Sequence, residues 1–96
     1  MKLLIKDKTI LYNLGYAVDN PICPITEVEV QLIDDGIGVK SYDNMEERNC
    51  YEQFTLSTNN ELYYCCGRAV IKSTDKVLIR TVKIIMELLK SLESEV

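Results

Sequence analysis

Glu27, Glu29, Asp43, Glu46 and Glu47 are the residues whose type and spacing could do chemistry in this chain. Glu27 and Glu29 alternate along a strand-like segment, and the other three open a short helical turn at the far end of the following strand. If those segments form a hairpin, five carboxylates gather at its open end, with Asp34 and Asp35 at the other tip about 25 Å away by strand rise. Such a group could hold magnesium in a hydrolase. It could equally imitate a row of phosphates and engage an arginine- or lysine-rich surface. The glutamates fall on the solvent face of a strand with no evident pocket, which favours binding over catalysis. Tyr42, beside them, offers a rigid apolar body with a polar tip, a type favoured at interfaces.

Other chemistries are excluded or weak. The chain has no histidine, which removes the commonest general base and the partner of a nucleophilic cysteine or serine. Its four cysteines include no Cys-x-x-Cys pair, so no structural metal and no cofactor is expected. Cys50, Cys65 and Cys66 read as small apolar side chains, and Cys23, in a loop, as the exposed one. Gly36-Ile37-Gly38 lacks the context of a dinucleotide fingerprint. Asp34-Asp35-Gly36 lacks the later glutamate of a calcium loop.

The charge is unevenly spread. From Asp19 to Glu61 ten acids face two bases, a local sum of −8, whereas Leu62 to Leu92 carries six bases and two acids, a sum of +4. An acidic body repels nucleic acid and attracts basic proteins. No apolar run reaches the roughly 18 residues of a membrane span, and the three-residue apolar start is too short for a signal peptide. The expected setting is cytoplasmic, with no membrane contact.

The positioning elements follow from periodicity. Lys2–Lys6 reads as a strand. Thr9 to Val18 alternates as a second strand, with a helix through Ile10, Leu11, Leu14 and Val18 as the competitor. Residues 20–25 hold both prolines and form a connector. Thr26–Ile33 and Ile37–Tyr42 flank Asp35-Gly36, a type I′ hairpin signal that sets Leu32 against Val39 and Glu29 against Tyr42. Asp43 to Glu47 reads as the helical turn, capped by Asp43. Tyr51–Thr58 and Glu61–Cys66 flank Asn59-Asn60, which sets Leu56 against Tyr63 and Phe54 against Cys65. Phe54, Leu56, Tyr63 and Cys65 then share the core face. Tyr42, Tyr51 and Tyr64 are expected to be partly exposed. Gly67 marks a bulge before an extension over Ala69–Lys72, and Ser73 or Thr74 caps a terminal helix.

That helix carries a central stripe of Leu78, Val82, Ile85, Leu89 and Leu92. Val77, Ile84 and Leu88 widen it on one side and Ile79 and Met86 on the other, an arc of about 220° at 100° per residue. A helix lying on one sheet needs little more than about 100°, so these five flanking residues are the expected interface of a homodimer. The whole reads as a single α+β domain over residues 1–96, an antiparallel sheet of five or six hairpin strands with one long C-terminal helix on one face.

The function expected from this is that of a non-catalytic small acidic binding protein. By physical type it resembles inhibitors of nucleic-acid-handling proteins, including phage anti-defence proteins, with the acidic strand face meeting a basic protein surface. One alternative is a small-ligand binder with a pocket between subunits, rimmed by tyrosines and Arg68. The other is the carboxylate–magnesium hydrolase.

Overall fold

The computed structural model describes residues 2–22, 24–43 and 49–94. Six strands, β1 (Lys2–Ile5), β2 (Ile25–Ile33), β3 (Gly36–Asp43), β4 (Asn49–Leu56), β5 (Leu62–Cys66) and β6 (Ala69–Ser73), form one antiparallel sheet in the order β1-β2-β3-β4-β5-β6. Two helices, α1 (Lys8–Asn13) and α2 (Lys76–Ser94), complete the α+β fold. The helical turn expected at residues 43–47 falls almost wholly outside the described residues. Glu46, Glu47 and Cys23 lie there, as do the side chains of Asp43 and Cys50.

The segment read as a second strand is the helix α1, and β1 pairs instead with β2, Ile5 facing Val28. Both periods share Ile10, Leu14 and Val18, so alternation alone could not separate them; the end residues do. Asp7 caps the N-terminus, its carboxylate accepting from the backbone N–H of Thr9 at 2.9 Å and Ile10 at 3.1 Å. Gly15 ends the helix at φ 94°, with Gly15 N–H donating to Tyr12 O (2.9 Å) and Tyr16 N–H to Leu11 O (3.0 Å). These two bonds are a Schellman motif, which needs a residue that tolerates positive φ.

Two hairpin registers differ from expectation, with different consequences. In the β2–β3 hairpin Ile33 faces Gly36 and Val30 faces Val39, so the turn is Asp34-Asp35 with positive φ at Asp35. The slip is by two residues, which leaves every side chain on its expected face. Gly36 is needed in the ladder: a Cβ there would meet the Phe54 carbonyl oxygen, with Thr55 Cα at 2.8 Å.

The β4–β5 slip is by one residue. Leu56 faces Leu62 and Phe54 faces Tyr64, so Leu62 and Tyr64 join the core face, and Tyr63 and Cys65 move to the open one. Ser57 N–H bonds to Glu61 O at 2.9 Å and encloses Thr58-Asn59-Asn60, with Asn60 at φ 59°. An odd, three-residue loop replaces the expected two-residue turn. Gly67 is no bulge: at φ 59° it makes, with Arg68, the turn between Cys66 and Ala69, and β6 is a separate strand. Asp75, not Ser73 or Thr74, caps α2, accepting from Val77 and Leu78 N–H at 2.9 and 3.1 Å.

The core lies between the inner sheet face and the two helices. Val28, Val30, Ile37, Val39, Phe54 and Leu62 meet Leu11, Leu14, Val82, Ile85 and Leu89 there. α2 lies over β2 and β3 and against α1. Toward β6 the inner face opens, and Ile71 is exposed. No described helix is long and apolar enough to cross a membrane.

Candidate binding cleft and surfaces

The opening toward β6 is a cleft of about 420 Å³ between the α1–β2 connector, the inner face of β4–β6 and Leu78 of α2. Glu52 stands in its wall at 8% exposure, an acid among core residues. The Schellman turn that ends α1 places Tyr16 over the sheet, and its hydroxyl donates to Glu52 Oε2 at 3.1 Å. Tyr64, two strand positions from Leu62 on the same face, lines the cleft with Glu52 and packs on Phe54 with ring centroids 5.1 Å apart. Burial first, and then the neighbouring Glu52 carboxylate, pushes the Tyr64 phenol well above its ordinary value. A second cavity, of about 480 Å³, continues the groove through Gly15, Tyr16 and Leu78 to Tyr12, Asp75 and Val77. Among the described residues, no Lys or Arg lines either.

Acids and aromatic rings with no base among the described residues suit a positive group better than a negative one. A positive group would be attracted by the Glu52 carboxylate and by the faces of tyrosine rings. Leu14, Phe54 and Leu78 supply the apolar walls for a hydrocarbon stem.

Of the residues expected to carry binding, the described Glu27, Glu29 and Tyr42 lie on the opposite, open face of the sheet. Glu27 faces Tyr42 in the ladder, and Glu29 faces Lys40. Glu29 also pairs with Lys2 at 3.4 Å, and the Lys40 ammonium sits 5.7 Å from the Tyr42 ring centroid. The strand glutamates are thus interleaved with lysines and do not form an uninterrupted anionic row. Glu61, farther along this face, is bound by Lys72 at 3.0 Å and by the Tyr63 hydroxyl at 2.9 Å, and these bonds hold its carboxyl below the usual range. Tyr51 is exposed on this face, whereas Tyr64 is half-buried on the inner one. Cys65 is half-buried and Cys66 exposed, rather than both being buried. Arg68 sits in the β5–β6 turn and lines neither cavity. Among the described residues no three His, Cys, Asp or Glu side chains converge as a metal site requires.

The expected interface on α2 divides in two. Ile79 and Met86 are half-buried against the core of their own chain, whereas Val77, Ile84 and Leu88 are 53%, 58% and 45% exposed.

Sequence reasoning missed Tyr16, Glu52 and Tyr64. Extending the alternation of Phe54 and Leu56 back by two positions would have put Glu52 on the core face. Tyr16 was concealed by the strand reading of its segment, and Tyr64 by the one-residue slip. Comparison with protein-family models, with curated proteins and with solved structures finds no match to this chain.

Proposed function

We propose that this chain is a non-catalytic binding protein whose cleft receives a positively charged side chain, lysine or arginine, from a basic partner protein. The observation that carries this reading is the buried Glu52, bound by the Tyr16 hydroxyl beside Tyr64 in a cleft whose described lining holds no base. Removing a carboxylate from water is costly, and a cation entering the cleft offsets that cost by direct pairing. The expectation of a basic partner is kept, with its point of contact moved from the strand acids to the inner face. A role as an inhibitor of a nucleic-acid-handling protein accords with such a partner, because those proteins present lysine and arginine to phosphate. The cleft pairs one carboxylate with phenols and lacks histidine and lysine, which favours holding a ligand over transforming it.

The test is calorimetric titration with lysine- and arginine-containing peptides, with butylammonium and methylguanidinium as free small cations. Saturable peptide binding that Glu52→Gln weakens about tenfold or more, while charge reversal at Glu27 and Glu29 leaves it intact, supports the reading. Binding of the free cations alone would instead favour the small-ligand alternative. Peptide binding lost on reversal of Glu27 and Glu29 but unchanged in Glu52→Gln would return the site to the strand face.

A further inference from the structure

The exposed flank of α2 has a second periodicity. Val77, Thr81, Ile84, Leu88 and Ser91 are spaced by four, three, four and three residues, the 3.5-residue repeat of a coiled-coil seam. The seam is separate from the stripe that packs on the sheet. Thr81 is small and buried, while Val77, Ile84 and Leu88 on either side of it along the seam stand exposed. Charge along the helix is polar in the same sense. Lys76, Arg80 and Lys83 occupy the first half, and Glu87, Lys90 and Glu93 the second.

We infer that this seam is covered by α2 of a second copy of the chain, running antiparallel about a two-fold axis. A parallel pair would set the three cations of one copy against the three of the other. An antiparallel pair sets that cationic half against the half holding Glu87 and Glu93, and so lowers the repulsion. The register is specified as well. With Val77 against the partner copy's Leu88 and Thr81 against its Ile84, Arg80 comes beside Glu87 of the partner subunit. Both residues ride on the same shoulder of the seam, and antiparallel packing brings that shoulder against itself, so the ion pair occurs twice. Sliding by one heptad would juxtapose the two copies of Glu87, which selects the first register.

The experiment is sedimentation velocity of the full chain over a concentration series, with circular dichroism as the control for folding. The wild-type chain is expected to dimerise, and Ile84→Glu, at an exposed position, to give a folded monomer. Arg80→Glu and Glu87→Arg should each weaken the dimer about tenfold, and the double exchange R80E/E87R should restore it. A wild-type chain that is monomeric at every concentration overturns the inference, including the outcome in which the seam binds a different protein. So does a dimer that survives Ile84→Glu, or single charge exchanges that the double exchange does not rescue.

Discussion

The hydroxyl of Tyr16 reaches Glu52 across 36 positions of sequence and donates to Oε2 at 3.1 Å. This bond joins the end of α1 to the inner face of the sheet and satisfies a carboxylate that would otherwise lose solvent without recompense. Tyr16→Phe is therefore expected to lower the unfolding free energy by about 1.5–3 kcal/mol, the range for hydrogen bonds to charged groups. Glu52→Gln, which keeps an acceptor in place, should cost less. Urea denaturation measures both, and a larger loss in Glu52→Gln would show that the charge itself supports the fold.

Gly15 sets where Tyr16 stands. A Cβ at Gly15 meets no atom within 4 Å, so crowding is not the issue, but φ of 94° is strained for any L side chain. Gly15→Ala should cost about 1–2 kcal/mol and displace Tyr16 from Glu52, with Gly15→Asn milder because asparagine tolerates this region better. Changes in the Tyr16 and Tyr64 ring resonances would report the displacement, and their absence would separate the turn from the cleft.

Gly36 and Gly38 lie two residues apart on β3 yet should respond differently. A Cβ at Gly36 would run into the backbone of Phe54 and Thr55, whereas at Gly38 it would first meet the hydroxyl and then the ring of the Tyr51 side chain, with Cζ at 3.1 Å. Gly36→Ala is expected to destabilise by about 2 kcal/mol or more, because two strands must part. Gly38→Ala should cost less than about 1 kcal/mol, since an exposed side chain can swing aside. Thermal melts decide between them, and the Tyr51→Ala background should erase the smaller effect only.

Two groups should make stability depend on pH at opposite ends of the scale. The Tyr64 phenol is raised above 10.0, so the folded chain retains a proton that the unfolded chain releases. Its contribution is intact below about pH 10 and is lost as pH rises through the folded value. Glu61 is lowered beneath 4.5 by its bond to Lys72 and then by that to Tyr63. Its contribution is present above that value and is lost as pH falls through the folded one. Tyr64→Phe should flatten the alkaline decline in melting temperature. Lys72→Ala should return the Glu61 carboxyl titration, followed by NMR, toward the ordinary midpoint.

Much of the sheet was legible because strand alternation is a local property: Val28, Val30 and Leu32 declared their face, as did Leu78, Val82, Ile85 and Leu89 on the helix. What was concealed depends on loops and on distant backbone. Asn59-Asn60 offered a two-residue turn, but Ser57 and Glu61 close a three-residue one, and that single extra position turns Tyr64 inward. Gly36 looked like half of a turn, but its need for space comes from Phe54, a strand away. The cleft was invisible for the same reason, since Tyr16, Glu52 and Tyr64 meet only after α1, β4 and β5 are in place.

In the order of the chain, α2 follows all six strands, yet it covers the inner face of β2 and β3. A ribosome therefore completes the sheet while Val28, Val30, Ile37 and Val39 still lack their lid. A nascent or prematurely terminated product presents a broad greasy face together with the bare edges of β1 and β6, a template for accretion. Docking of α2 is thus also the step that withdraws this greasy face from neighbouring chains.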